Sequence, residues 1–197
     1  MGDSEIEGPS PIGPAALAVT RCIAATMILL LRRRIRLPRE NIGLRIAFAD
    51  GSRASVFRET AITAAGAADP CILIVEFALR GVHGRGHAVF RRESLLNTVL
   101  FAGFPGLITK LWLAHDQHGT YRGLYEWDTP ARAESYARAL WRILALVSIP
   151  GSIHFHIITG RRRTELFAAL PAANPVPAPN LGDDPGPWWQ VIGLTPR

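Results

Sequence analysis

The only lysine of the chain, Lys110, is the first candidate for chemistry, because the other basic side chains of the Lys and Arg class are all arginine. It lies in the strand-like run 107–114, where alternation places it on the same side as Ile108 and Trp112. A lysine on a buried strand face needs an acidic partner or a lowered pKa. One interpretation is an ion pair with Glu126 on the next strand. The other is a general base or a cation that orients a substrate.

Histidines supply the other candidate proton carriers. His154 and His156 are two residues apart in a strand-like run, so they project from one face. They could move a proton near neutral pH, or they could be hydrogen-bonded groups at an interface. His87 stands at the mouth of a predicted helix beside Arg85 and Arg91, and this cluster could hold a carboxylate or an enolate oxygen. The alternative is an exposed basic loop.

Four aromatic side chains complete the candidate site. Trp112, Tyr125, Trp127 and Tyr136 are either core residues or a wall that binds a flat, apolar ligand. Together the sequence proposes His87, Lys110, Glu126, His154 and His156 as catalytic residues. Arg85, Arg91, Trp112, Tyr125, Trp127 and Tyr136 are the substrate-binding candidates.

Several motifs that would identify a cofactor or a reaction are missing from the sequence. It has no phosphate-binding glycine loop, no nucleophile elbow, no Cys-x-x-Cys and no paired carboxylates. The histidines lack the carboxylate or cysteine spacing of a metal site. We therefore expect neither a metal ion nor an organic cofactor. The two cysteines, Cys22 and Cys71, are expected to be buried free thiols in a reducing cytoplasm.

The elements that must position these residues follow the order β-α-β-β-α-β. Apolar runs predict four strands, and a 3.6-residue periodicity predicts two helices between them. The strands are 71–79, 107–114, 121–127 and 152–159; the helices are 87–102 and a second that begins at Thr129-Pro130. This order predicts an α+β, ferredoxin-like sheet backed by two helices.

An N-terminal extension precedes this domain. Residues 14–31 predict an apolar helix that ends at an arginine cluster, and residues 44–60 predict a β-hairpin around Asp50-Gly51. The helix could span a membrane, lie in the membrane interface, or pack on protein. The predicted division of the chain is 1–13 disordered, 14–65 helix and hairpin extension, 66–165 ferredoxin-like domain, and 166–197 Pro-rich tail.

The formal net charge of +6 comes from arginine clusters rather than from one basic stripe with interleaved aromatic residues. Nucleic-acid binding is therefore not expected. The arginines that follow the apolar helix are instead suited to an anionic membrane surface, through residues 14–39. No secretory signal is recognised, so the expected location is the cytoplasm, or peripherally the inner face of the membrane.

The segment PGLITKLWL, then RGLYEW, then a helix carrying Tyr136 and Trp141 and a last strand, resembles the small monooxygenase-type members of the dimeric α+β barrel superfamily. The resemblance covers about residues 70–160. It implies ferredoxin-like domains that pair through their sheets. Members of this superfamily include cofactor-free oxygenases of aromatic polyketides, haem-degrading enzymes, cyclases and isomerases, and members with no known activity; secondary metabolism is the expected setting.

A sheet with both helices on one face leaves its other face bare, and an exposed apolar face calls for a partner. A homodimer is the expected assembly. The expected function is a cofactor-independent enzyme of monooxygenase, cyclase or isomerase type acting on an apolar, polyketide-like small molecule. The alternative is a non-catalytic, membrane-associated ligand-binding or scaffold protein.

Overall fold

A computed structural model describes residues 4–5, 12–63, 66–81, 101–170 and 186–196. Within these residues the chain forms one antiparallel sheet with three helices. The strands are β1 Ser4–Glu5, β2 Ile35–Arg36, β3 Arg45–Phe48, β4 Arg53–Ile62, β5 Cys71–Ala78, β6 Leu107–Leu113, β7 Thr120–Trp127, β8 His154–Thr159 and β9 Val191–Thr195. The helices are α1 Ile12–Leu31, α2 Pro130–Val147 and α3 Arg163–Ala168.

The centre of the sheet has the strand order β8-β5-β7-β6. Numbered along the β-α-β-β-α-β unit, this is the order 4-1-3-2 of a ferredoxin-like fold, and it confirms the predicted fold class. Each of the four strands begins and ends within two residues of its predicted bounds. The helix predicted at 87–102 falls almost wholly outside the described residues.

The N-terminal hairpin widens this sheet. Strand β4 pairs with β6, and β3 pairs with β4 on one side and with β9 on the other. At the turn between β3 and β4, Gly51 has a φ of 81°, and the Asp50 carboxylate accepts hydrogen bonds from the Ser52 amide and hydroxyl. A tight turn at the predicted pair therefore lets the hairpin extend the main sheet.

Both faces of the sheet are covered by the chain itself. On one face α2 packs its apolar stripe, including Tyr136 and Leu140, over β5, β7 and β8. On the other face Ile72, Ile74 and Leu124 are fully buried. The hairpin, α3 and the segment 186–196 cover them.

This second face was predicted to be bare, and that premise was wrong. The C-terminal residues return to the sheet, add β9 beside β3 and place Trp188 and Trp189 over the apolar surface. From the sequence, Trp188-Trp189 suggests that the tail docks on its own domain or on a partner. Strand β9 was not predicted, because its pairing joins residues about 150 positions apart, which no local pattern encodes. The homodimer stays a prediction, without the bare face that motivated it.

Helix α1 packs on α2 through a narrow side. Cys22 and Thr26 are buried, and a side chain at Gly103 would overlap the Cys22 carbonyl and lie 2.5 Å from the Thr26 amide nitrogen. Gly103 is therefore the point of close approach to α1, where only glycine leaves room for the helix backbone. Within the described part of the chain, no helix is long and apolar enough to cross a membrane.

The N-terminal segment predicted to be disordered has ordered parts. Ser4–Glu5 pairs with the edge of β8, and α1 begins at Ile12. Strand pairing uses backbone groups, so a polar segment without a strand-like sequence pattern can still pair with a free sheet edge.

Candidate functional site

An apolar cavity of about 370 Å³ lies between the sheet and α2. Its size falls at the lower end of the range of small-molecule sites. Lys110 and Arg122 are the only residues of charged type among the described lining residues, and the Arg122 guanidinium is paired with carboxylates on the other face of the sheet. Apolar and aromatic groups from β4, β5, β6, β7 and α2 form the rest of the described lining: Phe57, Phe77, Leu79, Phe101, Trp112, Leu113, Tyr121, Gly123, Tyr125, Leu140, Ile143, Leu144 and Val147.

The Lys110 ammonium position is surrounded by aromatic rings. Its Nζ lies 3.2 Å from the ring centroid of Trp112, 4.6 Å from that of Tyr125 and 5.3 Å from that of Phe101. The side chain is only 5% exposed. Among the residues that the structure describes, no carboxylate pairs with it.

The charge of Lys110 is strongly disfavoured at this position. Burial first, and then the nearby Arg58 guanidinium, lower the pKa of Lys110 well below the ordinary value of lysine. Aromatic faces favour the ammonium by about 2 kcal/mol when desolvated. The effective penalty of burying an unpaired ion is several kcal/mol, which is larger. Since arginine keeps its proton in proteins, Lys110 is the group of the two whose proton is lost more easily.

The ion pair between Lys110 and Glu126, one of the two interpretations from sequence, is not formed. A register shift between Leu107 and Thr109 sets Glu126 opposite Thr109, whereas Lys110 faces Tyr125. Glu126 therefore projects from the other face of the sheet, where it lies 3.6 Å from the Arg162 guanidinium. Hairpin register is set by turn and bulge geometry, which the sequence pattern leaves open.

The four aromatic candidates divide into two groups. Trp112 and Tyr125 line the cavity, whereas Trp127 and Tyr136 are fully buried core residues outside the described lining. The Trp112 indole N–H donates to the Thr60 hydroxyl at 3.1 Å, which fixes the ring that faces Lys110. Burial raises the pKa of both Tyr125 and Tyr136, so their phenols stay protonated.

The two histidines lie on the opposite face of the sheet from the cavity. His154 and His156 share that face, as strand alternation predicted. The His156 ring stacks on Trp189 with ring centroids 3.7 Å apart, and His154 Nδ1 lies 3.0 Å from a Glu76 carboxylate oxygen. The structure therefore separates His154, His156 and Glu126 from Lys110. His87, Arg85 and Arg91 lie outside the described residues.

A buried charge cluster on that face was missed in the sequence. Arg122 is 4% exposed, and its guanidinium contacts Asp50 at 2.6 Å, Glu76 at 2.8 Å and Asp116 at 3.2 Å. It also donates to the Ser52 hydroxyl. Burial raises the pKa of Glu76, opposed by Arg122 and His154. The available signal was the pair of charges within apolar strands, Glu76 and Arg122, which the β5–β7 register sets directly opposite each other.

The cavity provides an aromatic, apolar space with one amine in its wall whose pKa burial lowers. An unprotonated amine can remove a proton from a carbon acid or attack a carbonyl carbon, and an apolar wall raises the fraction of amine in that form. Apolar side chains from four strands and α2 give shape, and Lys110 gives the reactive atom.

Comparisons with known proteins yield fold neighbours only. No family model and no curated protein matches the sequence. A monooxygenase-like protein of Listeria innocua is similar at 12% identity and a TM-score of 0.41, over 57% of this chain and 65% of that one. A ferredoxin fold protein related to antibiotic biosynthesis monooxygenases, from Listeria monocytogenes, is similar at 13% identity and a TM-score of 0.36, over 56% of this chain and 66% of that one. A haem-degrading enzyme of Listeria monocytogenes is similar at 13% identity and a TM-score of 0.42, over 65% of this chain and 97% of that one.

The matched region spans slightly less than two thirds of the first two proteins. At 12–13% identity and TM-scores of 0.36 to 0.42, these likenesses carry no argument about the function of this chain, and its ferredoxin-like fold rests on its own strand order.

Proposed function

We propose that this protein is a small-molecule enzyme of isomerase or cyclase type, in which Lys110 removes a proton from an apolar, carbonyl-bearing substrate held in the cavity. The observation that carries the proposal is a buried amine without an acidic partner among the described residues, facing an apolar space of ligand size. A positioned general base contributes about 10²–10⁴-fold to a rate. Its ideal pKa lies near the working pH, and burial moves Lys110 in that direction.

The proton transfer needs no group beyond the amine. Neutral Lys110 takes the proton from the carbon next to the carbonyl, and the electron pair moves into the enolate. In an isomerisation the ammonium returns the proton to another carbon of the enolate. In a cyclisation the enolate carbon attacks a second carbonyl of the substrate, and the ammonium gives its proton to that carbonyl oxygen. An oxygenase of the type that the resemblance implies would begin with the same deprotonation and would then need molecular oxygen. Isomerisation and cyclisation are therefore the simplest reactions for this site.

A general test uses nitrobenzisoxazole, an apolar bicyclic carbon acid. Loss of its ring proton to a base breaks the N–O bond and releases a coloured cyanophenolate. We expect catalysis by the wild type that rises with pH to a plateau, with a midpoint below the ordinary pKa of lysine. The variant Lys110→Met should lose at least about 100-fold of this activity.

The cavity itself needs a separate control. Ile143→Trp would fill the space from α2, while Leu146→Trp adds the same ring at a position on α2 that is 79% exposed. Activity that falls in Ile143→Trp and persists in Leu146→Trp supports the proposal. Equal activity in the wild type, Lys110→Met and Ile143→Trp would contradict it.

A second candidate function is attachment to an anionic membrane surface through residues 14–39. The observation that favours it is a row of exposed apolar side chains on α1, including Met27, Ile28 and Leu31, directly before Arg32, Arg33 and Arg34. Apolar side chains beside arginines are the pattern of a helix that lies in a lipid interface.

Arg33 offers a test that leaves the fold intact. Its φ of 52° is left-handed, and the amide of Arg34 donates to the Leu29 carbonyl at 2.9 Å, which is a helix end that glycine usually makes. Arg33→Gly should therefore keep or raise stability while it removes one charge. Flotation with phosphatidylglycerol vesicles that weakens in Arg33→Gly would support membrane attachment. No flotation of the wild type would contradict it.

A further inference from the structure

We infer that Lys110 is also a covalent binding site for apolar aldehydes and ketones, which its amine holds as a Schiff base inside the cavity. The inference rests on the cavity of the proposed function and deepens it, because it names the substrate class as carbonyl compounds and makes the amine a nucleophile. The observations are the location of Nζ at the cavity wall, the ring cage around it and the composition of the lining.

The chemistry at nitrogen is balanced without any further reagent. The Nζ lone pair attacks the carbonyl carbon, and the carbonyl π electrons move to oxygen, which takes up a proton to give a carbinolamine. Loss of the hydroxyl as water and of the remaining N–H proton gives the imine. Each event releases one water molecule, so an apolar space that holds little water favours the imine over its hydrolysis.

The ring cage suits the product as well as the reactant. A protonated imine is a cation, delocalised and less strongly hydrated than an ammonium. The faces of Trp112 at 3.2 Å and Tyr125 at 4.6 Å from Nζ lie where that cation forms. The same rings leave the free amine without a hydrogen-bonded carboxylate that would keep it protonated, among the residues described here.

The cavity selects for apolar carbonyl compounds. Arg122 is the one other residue of charged type in its described lining, and that guanidinium is held on the other face of the sheet by Asp50, Glu76 and Asp116. A ligand carboxylate would therefore find no uncommitted cation in the described wall. A volume of about 370 Å³ accommodates two fused rings.

The single lysine makes the experiment unambiguous. Full-length protein is incubated with naphthaldehyde and cyanoborohydride, which reduces an imine to a stable secondary amine, and the adduct is located by intact mass and peptide mapping. We expect one adduct at Lys110, and at least tenfold less labelling of Lys110 by glyoxylate, a small anionic aldehyde. The N-terminal amine serves as the internal standard for exposed amines.

Two further measurements test the cavity. Lys110→Arg keeps a long basic side chain but cannot form an imine, so only the N-terminal adduct should remain. Should that variant fail to fold, competition replaces it: naphthylmethanol, which has the same rings and no carbonyl, should suppress labelling of wild-type Lys110 and leave the N-terminal adduct unchanged. Absence of a Lys110 adduct, or labelling by naphthaldehyde and glyoxylate to the same extent as at the N-terminus, would overturn the inference.

The two proposals fail separately. Proton abstraction from nitrobenzisoxazole without a Lys110 adduct would remove the Schiff base and retain the general base. A Lys110 adduct without proton abstraction would retain the covalent site and remove the proposed reaction.

Discussion

The two faces of the sheet surround their buried basic side chains with different partners. On the face away from α2, Arg122 meets three carboxylates within 3.2 Å. On the face toward α2, Lys110 meets three aromatic rings and, within the described chain, no carboxylate. A charge that is fully paired holds elements together, whereas a charge left without a counter-ion gives up its proton and becomes reactive. The comparison assigns structure to one face and chemistry to the other.

Removal of the paired cation should have the largest effect. Arg122→Met leaves Asp50, Glu76 and Asp116 close together without their cation, and we expect a loss of about 3–5 kcal/mol in the free energy of unfolding. Arg138→Met is the matched control, because the Arg138 side chain is 41% exposed and, within the described residues, forms its ion pair with Glu134; it should lose less than about 1 kcal/mol. Equal losses by denaturant unfolding would break the contrast.

The second-largest loss of stability should follow a change in the segment 186–196, which covers the sheet face away from α2. Trp189 stacks on His156 and belongs to the segment that closes the apolar surface. Trp189→Ala should lower the free energy of unfolding by about 2 kcal/mol, since the ring is only partly buried and a fully buried one would lose about 3–5 kcal/mol. Trp189→Phe should recover part of the loss. An alanine variant as stable as the wild type would show that this segment contributes no cover.

The pH dependence of stability tests the contrast between Lys110 and Arg122, because it depends on the lowered pKa of Lys110. The pKa of Lys110 is lowered in the folded protein, so between that pKa and the ordinary lysine value the unfolded chain binds the extra proton. This group therefore makes stability rise with pH across that window, by up to about 1.4 kcal/mol per pH unit. Measured against pH, the free energy of unfolding of the wild type should therefore rise relative to that of Lys110→Met across this window. A constant difference across the window would contradict it.

The smallest effect on stability at neutral pH should follow replacement of the buried Lys110 amine. Lys110→Met replaces a buried amine with an apolar side chain of similar length, and we expect the free energy of unfolding to stay within about 1 kcal/mol of the wild type or to increase. The same variant should lose the proton abstraction from nitrobenzisoxazole. A loss above about 2 kcal/mol would mean that Lys110 stabilises the fold.

Local patterns were sufficient for the central fold. The continuous apolar run of β5, the amphipathic stripe of α2 and the Asp50-Gly51 turn each indicate their element, and their order gives the ferredoxin-like sheet. Lys110 was found because its residue type is unique in the chain.

The remainder depended on long-range pairing. The bulge that turns Glu126 away from Lys110, and the return of Trp188-Trp189 to the second face, are set by tertiary geometry. The same limit applied to Arg122, whose three acidic partners come from three separate parts of the sequence.

The most direct test of the account is the ionisation of Lys110 itself. Protein labelled with ¹³C at lysine Cε gives one lysine resonance, because the chain contains one lysine. The account predicts a chemical shift of the neutral amine at mildly alkaline pH and a titration midpoint well below the ordinary lysine pKa. A resonance that titrates at or above the ordinary value of about 10.4 would show that Lys110 keeps its charge and would contradict the account.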